Sequence, residues 1–304
     1  MTRLRRVRCF SRAAKDPASR LLGLRRWCAL SGLPLWLSMF TLVPTGLVVT
    51  VSFLGRDERG FIRFVPTLDN YRRLLDPTYL NVFIDSLAMA MLATLLCLLI
   101  AYPFAWSLSR VGRRWRPLLL MLVILPFWTN SLVRIYAIRS LLAAKGAMNA
   151  LLVGLGLVNE PIRLLYSGWA VSLGLVYVLL PFMILPLYSS FEKLDRRLIE
   201  AAADLGAGRL ASFRHVIVPL TAPGMAAGAL MVFLPALGLF YVTDVLGGAR
   251  NLMLGALLKE QFLDARDWPF GAAAILVVIG LLFLFLALYR LARQRMGETG
   301  MADA

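Results

Sequence analysis

The chain has 304 residues, of which 60% are hydrophobic and 16% are charged, and its mean hydropathy is +0.73. Soluble domains are roughly half apolar and a quarter charged, so this composition excludes an ordinary water-soluble globule. The formal net charge of +16 would suggest nucleic-acid binding in a soluble protein. Here most basic residues lie in short segments beside apolar blocks, where retention on the cytoplasmic side explains them, and we expect no nucleic-acid partner.

Six apolar blocks are each long enough to cross a lipid bilayer as a helix, near residues 28–54, 82–108, 117–138, 169–191, 221–246 and 270–291. The blocks are continuous apolar runs, whereas the strands of a membrane barrel alternate apolar and polar residues over about ten positions. The sequence therefore predicts an all-α membrane protein with six transmembrane helices.

Lysine and arginine are distributed unevenly between the segments that join the blocks. The N-terminus, the segments 109–116 and 192–219 and the C-terminal tail together hold 21 of them, and the segments on the opposite side hold 11. This bias places both termini in the cytoplasm. We predict a basic cytoplasmic N-terminal segment at 1–27, a transmembrane domain at 28–291 and a cytoplasmic tail at 292–304.

Several blocks contain prolines, including Pro126 in the third and Pro235 in the fifth. A proline removes a backbone donor and bends its helix, and broken helices are common where a transporter lines its pathway. Proline is also frequent in ordinary membrane helices, so this signal favours transport only modestly. Between the third and fourth blocks, residues 145–165 mix leucines with polar residues and predict an amphipathic helix at the outer membrane surface.

Residues 192–219, called the coupling segment below, are too polar to span a membrane and too apolar for a disordered tether. Apolar residues recur at i, i+3, i+4 and i+7 between Leu198 and Leu205, which predicts a short amphipathic helix. Gly206 and Gly208 interrupt the pattern, and a second short helix is expected to end at Pro219. An ordinary loop that rests its apolar face on lipid would have the same pattern.

The run Glu200-Ala201-Ala202, followed by Gly206 and ending at Pro219, resembles the Glu-Ala-Ala motif of the membrane subunits of ATP-binding-cassette importers. In that family the motif forms the coupling helix, which docks in a groove of the ATPase subunit. The resemblance implies a type I ABC importer permease fold. It also implies that these five residues couple the chain to an ATPase dimer.

Further stretches are similar to the permeases of spermidine/putrescine importers, and most of all to their B-type subunit, at residues 67–71, 125–131, 179–183, 186–190, 239–244 and 266–271. The resemblance implies polyamine translocation across the bacterial inner membrane by alternating access. It implies three partners: the ATPase, a second homologous permease and a periplasmic polyamine-binding protein. A permease for another small solute of the same class is the open alternative.

A polyamine pathway needs carboxylates to offset charge and aromatic faces that tolerate cations. Asp244 is expected toward the external end of the fifth block, beside Tyr241. The other candidates are Trp128 and Asn130, just after Pro126 in the third block, and Tyr177, before Pro181 in the fourth. Each has a simpler interpretation, because Asp244 would also suit a helix cap and a lone aromatic residue is usually part of the core or the membrane interface.

Two further charged residues are interpreted as structural. Asp85 is expected in the first turn of the second helix, where the helix dipole favours an anion, and Arg134 is near enough to the end of the third helix to reach water. Pairing between the two is an additional option.

The sequence contains no motif for ATP hydrolysis, metal binding or enzymatic catalysis by this chain. None of the four lysines follows a glycine as in a P-loop, so we expect ATP hydrolysis in a separate subunit. The three cysteines and the single histidine predict no metal or cofactor site. The alternatives are an ATP-independent channel or proton-coupled carrier, for which only isolated carboxylates exist, and a membrane enzyme, for which no catalytic cluster exists.

Overall fold

The computed structural model describes residues 17–57, 62–248 and 253–302, so most of the predicted segment 1–27 lies outside the described residues. The helices are α1 (Pro17–Ser52), α2 (Asp69–Leu74), α3 (Pro77–Arg110), α4 (Arg116–Ile124), α5 (Ser131–Leu142), α6 (Ala147–Gly154), α7 (Gly168–Glu192), α8 (Arg196–Asp204), α9 (Arg209–Ser212), α10 (Val218–Gly238), α11 (Phe240–Leu246), α12 (Leu254–Lys259) and α13 (Trp268–Ala302). Between α1 and α2, strands β1 (Leu54–Arg56) and β2 (Ile62–Pro66) pair in an antiparallel hairpin. The helical prediction is therefore confirmed, with one small hairpin added.

Helices α3, α7 and α10 pack together and form the centre of the described fold. The face of α3 toward this centre consists of small, fully buried residues at intervals of three or four, namely Ala90, Ala93, Cys97, Ala101 and Ala105. Apolar helices gain little from burial in lipid, so close packing of small residues is what holds them together. This stripe brings the α7 backbone close to α3.

The contact between α7 and α10 depends on glycine. A Cβ atom on Gly228 would lie 2.6 Å from the sulfur of Met183, and one on Gly224 would overlap the Ser190 side chain. Such contacts leave no room for a methyl group, so these glycines set the spacing of the two helices. Outside this centre, α1 and α13 pack against each other.

Among the described residues, three helical stretches are long and apolar enough to cross a membrane: Pro77–Arg110, Gly168–Glu192 and Arg209–Gly238. A fourth is obtained if the bent pair Arg116–Trp128 and Ser131–Gly154 counts as one span. Helices α1 and α13 add the shorter apolar stretches Trp36–Ser52 and Trp268–Leu284. The number of six spans and the cytoplasmic termini stay predictions.

Two of the predicted spans are broken. In the third, Pro126 lies in a 3₁₀ turn, Leu125–Trp128, and the chain then bends by 89° before α5 begins. In the fifth, α10 ends at Gly238, and Leu239 adopts a ψ of 66° before α11 starts. Other prolines, such as Pro103 and Pro181, lie inside continuous helices. Proline alone therefore does not determine where a span breaks.

Three sequence-based expectations are wrong. Pro219 does not end a helix, because it lies in the first turn of α10, where a missing backbone N–H costs little. Asp85 is not in the first turn of α3, since that helix already begins at Pro77 with Asp76 as its N-cap. The amphipathic helix expected at 145–165 is confined to α6, which ends at Gly154.

Candidate functional site

The coupling segment folds as a short helix closed at both ends by its own residues. Asp195 caps α8 at its N-terminus, where its carboxylate accepts a hydrogen bond from the N–H of Arg197 at 3.0 Å. At the other end Gly206 has a φ of +84°, its N–H donates to the carbonyl of Ala203, and the N–H of Ala207 donates to that of Ala202. These two bonds form a Schellman motif, which favours glycine at its left-handed position.

Several apolar residues of the coupling segment are exposed, although Ile217 is buried. Leu205 is 89% exposed and Leu210 is 78% exposed, and Glu200 and Ala201 on α8 are exposed as well. Ala202 is half-buried. Exposed apolar residues in a segment next to a membrane are covered either by another protein or by lipid.

A π-helical turn, Phe213–Ile217, joins α9 to α10 and makes Arg209–Gly238 one continuous helical stretch. Val218 and Pro219 follow this turn as the first two residues of α10, so the chain is helical on both sides of the proline. The π-helical turn therefore connects α9 to α10, one of the three central helices, without a break in the helix. Helix α8 is outside this continuous stretch, because the non-helical residues 205–208 separate it from α9.

A cavity of about 340 Å³ with both charged and apolar walls lies between α8 and the ends of α3 and α7. Arg116, Glu192 and Glu200 contribute to its walls, and a guanidinium nitrogen of Arg116 lies 4.0 Å from the Glu192 carboxylate. Arg116 also donates hydrogen bonds to the carbonyls of Ser109 and Val111 at the end of α3. Glu200 thus lies next to the ends of two core helices.

The candidates on the third and fourth blocks have different roles in the structure. Asn130 is the N-cap of α5, since its side-chain oxygen accepts a hydrogen bond from the N–H of Leu132 at 2.8 Å. Trp128 is 75% exposed and Tyr177 is 45% exposed. Asn130 therefore positions α5, whereas the two aromatic residues are accessible.

Arg134 lies beside aromatic rings, and no pairing with Asp85 occurs within the described residues. Its guanidinium carbon is 5.6 Å from the ring centroid of Phe127 and 5.8 Å from that of Tyr177. The buried Nε of Arg134 has no hydrogen-bond partner among the described residues. The 89° bend before α5 produces this arrangement, which the linear sequence does not indicate.

Asp244 forms an ion pair that the sequence analysis missed. The Lys259 ammonium donates a hydrogen bond of 2.6 Å to the Asp244 carboxylate and lies 5.8 Å from the ring centroid of Phe240. That hydrogen bond raises the pKa of Lys259 above its usual value. We call Asp244, Lys259 and Phe240 the cation cluster. Tyr241 is adjacent, with its ring edge-on to Phe240 at 6.2 Å.

Helix α11, which carries Asp244 and Tyr241, packs against α5 and α7. A Cβ atom on Gly174 of α7 would overlap Leu246 and would lie 3.0 Å from Val242, both on α11, and 3.5 Å from Ile135 of α5. Helices α5, α7 and α11 thus meet around Gly174. Tyr177 lies on α7, Tyr241 and Asp244 lie on α11, and Asn130 caps α5, whereas Trp128 lies in the 3₁₀ turn before α5.

A second ion pair lies at the start of α13. The Asp267 side chain is only 1% exposed, and its carboxylate is 2.9 Å from Arg73 of α2 and 3.5 Å from Arg56 of β1. Its other oxygen accepts a hydrogen bond from the N–H of Phe270. Asp267 therefore ties the hairpin and α2 to α13.

A model of the family of inner membrane components of binding-protein-dependent transport systems matches residues 70–298. The chain is 54% identical to the spermidine/putrescine transport system permease protein PotB of Escherichia coli over 252 residues, which is 82% of this chain and 92% of that protein. It is 52% identical to PotB of Haemophilus influenzae, covering 84% and 89% of the two chains.

Among solved structures, the chain resembles one from a bacterial ABC transporter that imports the acidic polysaccharide alginate. The TM-score is 0.68 at 17% identity, and the match covers 90% of this chain and 99% of the other. This likeness concerns the fold, because the sequence identity is low. The family match and the PotB identities show that the chain belongs to the inner membrane components of binding-protein-dependent transport systems.

Proposed function

We propose that the chain is the permease subunit of an ATP-driven importer that carries spermidine and putrescine across the bacterial inner membrane by alternating access. The observation that carries this proposal is the 54% identity to PotB of Escherichia coli, which extends over 92% of that protein. The cation cluster supports it, because a carboxylate beside an aromatic ring suits an ammonium group.

The coupling segment is the proposed docking site for the ATPase. Glu200, Ala201, Ala202 and Gly206 form the contact helix and its turn, and Pro219 lies where this segment continues into α10. The high exposure of Leu205 and Leu210 and the capped ends of α8 support the assignment. A helix that keeps its shape transmits a displacement, whereas a flexible loop would absorb it.

The proposed substrate pathway is lined by Trp128, Tyr177, Tyr241 and Asp244, with Asn130 holding the start of α5. What supports this role is the meeting of α5, α7 and α11 around Gly174 and the exposure of the two aromatic residues on the third and fourth blocks.

The proposed assembly contains an ATPase dimer, a second related permease and a periplasmic polyamine-binding protein. One chain of this size supplies half of the lining of a closed pathway, so two permeases are needed. Six spans and cytoplasmic termini are part of this proposal. Purification of the complex with mass determination tests it, and an active complex that contains two copies of this chain would contradict the second permease.

Uptake of labelled spermidine and putrescine into proteoliposomes tests the function. The vesicles contain the chain with its ATPase, second permease and binding protein, and a catalytically inactive ATPase is the matched control. We expect ATP-dependent uptake of both polyamines. Uptake that does not need ATP would favour a carrier or channel, and failure to transport either polyamine would favour another solute.

A further inference from the structure

The Asp244 carboxylate already holds a cation that belongs to the chain. Lys259 donates to it at 2.6 Å and lies 5.8 Å from the Phe240 ring. An ammonium group between a carboxylate and an aromatic face is the environment that a polyamine ammonium group requires. The place proposed above for the substrate is therefore filled by a chemically equivalent group of the protein.

The Asp244–Lys259 pair is exposed enough to open. The two side chains are 35% and 36% exposed, and Lys259 is the last residue of α12. The Asp267 pair is different, since that carboxylate is 1% exposed and two arginines hold it. Separating a buried charge from its partner strongly destabilises the folded protein. A partly exposed ion pair contributes little energy, so its partners separate at low cost.

A second carboxylate is available to Lys259. Asp264 lies in the π-helical turn that follows α12, and its charge also stabilises the protonated form of Lys259. The lysine side chain is a long flexible stem with three rotatable donors, so it reaches alternative partners without movement of the backbone. An ammonium group released from Asp244 thus stays near negative charge.

We propose that Lys259 is a tethered cation that occupies the Asp244 carboxylate until an ammonium group of the polyamine displaces it. This inference rests on the proposed function, because it requires a polycationic substrate. The exchange conserves charge, since one ammonium group leaves the carboxylate as another arrives. A ligand that must displace a resident group binds more weakly than it would bind a free site, so Lys259 limits how tightly the pathway retains its substrate.

Lysine acetylation tests the displacement directly. The chain has only four lysines, Lys15, Lys145, Lys193 and Lys259, so mass spectrometry separates their modification. In the full complex in nanodiscs, with binding protein and ATP, labelled acetic anhydride is applied with and without spermidine. We expect the modification of Lys259 relative to Lys145 to rise about fivefold with spermidine, because an amine freed from its carboxylate is deprotonated more easily.

Asp244→Asn is the matched control, because it removes the carboxylate and so leaves Lys259 without its ion-pair partner. In that variant Lys259 should be reactive without spermidine, and spermidine should produce no further rise. If the wild-type complex transports spermidine but the reactivity of Lys259 does not respond, the tethered-cation inference is overturned and the proposed function stands. If the complex transports neither polyamine, both are overturned.

Substitutions of Lys259 give an independent test. Lys259→Gln should bind labelled spermidine roughly fivefold more tightly in the complex, because the competing cation is gone, while Lys259→Arg should stay near wild type. A purely structural pair predicts unchanged or weaker binding for Lys259→Gln, and that result would overturn the inference. If Lys259→Gln does not accumulate in the membrane, acetylation of the wild-type chain decides.

Discussion

The coupling segment and the cation cluster are held together by interactions of very different range. In the coupling segment, Asp195 caps α8 two residues away and Gly206 closes it through bonds that span three to five residues. In the cation cluster, the ion pair joins Asp244 to Lys259, fifteen residues apart and on separate helices. The shape of α8 is therefore set by residues of the segment itself. The cation cluster has parts that separate when neighbouring helices shift.

The largest effect is expected from disrupting the coupling segment. Gly206→Pro cannot adopt a φ of +84° and loses the hydrogen bond to Ala203, which costs roughly 3 kcal/mol or more of the native conformation of the segment. We expect the protein to insert normally and ATP hydrolysis to continue while spermidine uptake is lost. Uptake and ATPase activity are measured on the same proteoliposomes.

The chain supplies a matched control two residues away. Gly208 has a negative φ of −66°, and a Cβ atom there would meet nothing within 4 Å, so Gly208→Ala should transport normally.

Glu200→Lys, which leaves the backbone intact, should also separate hydrolysis from uptake if α8 contacts the ATPase. Normal uptake by Gly206→Pro and Glu200→Lys at normal membrane levels would remove the coupling assignment.

A smaller effect is expected where three helices meet. Gly174→Ala would place a methyl group against Leu246 and Val242, and overpacking of this kind costs about 1–3 kcal/mol. Because the change displaces α11 as a whole, uptake of spermidine and putrescine should fall by the same factor. The thermal stability of the complex should fall as well.

Gly280→Ala in α13 is the control for this substitution, since a Cβ atom at Gly280 would meet nothing within 4 Å. A Gly174→Ala complex as stable and active as the Gly280→Ala complex would show that α11 is not positioned through α7.

The two regions also differ in what the sequence predicts. The helix of the coupling segment and its glycine turn follow from residues within one or two turns of each other, so periodicity and Gly206 were sufficient. The sequence does not fix the position of Pro219, because a proline is equally compatible with the end of one helix and the first turn of the next. The π-helical turn that decides between them has no sequence signal that we recognise.

For the cation cluster, the sequence predicts Asp244 as a candidate residue but does not predict that Lys259 pairs with it. Asp244 was a candidate by residue type, while Lys259 lies on a short helix whose position depends on where α10 and α11 separate. Similarly, Arg134 of α5 lies beside the ring of Tyr177, which is on α7. Such contacts are fixed by packing between distant segments. The family is shown by resemblance to known sequences, and the proposed substrate rests on the same resemblance.

A graded effect is expected at Asp244. If this carboxylate contacts a cation in transit, Asp244→Asn should lower uptake of spermidine more than that of putrescine, because spermidine carries more charge. Each lost contact is worth roughly 1–4 kcal/mol at intermediate dielectric, and the partial exposure of Asp244 favours the lower end. Uptake of both substrates is normalised to protein in the membrane. Equal losses would make Asp244 a structural residue.

The smallest effects are expected from substitutions at two helix caps. The same kind of change, a capping residue replaced by alanine, is made in each of the two regions. Asn130→Ala removes the cap of α5, and Asp195→Ala removes the cap of α8, each at a cost of about 1 kcal/mol of local helix stability. Asn130→Ala should reduce uptake and ATP hydrolysis in proportion, because it disturbs the pathway and leaves α8 intact. Asp195→Ala should reduce uptake per ATP hydrolysed, because a frayed α8 transmits less displacement. Measuring that ratio for both variants separates the regions, and an identical ratio would contradict the division between them.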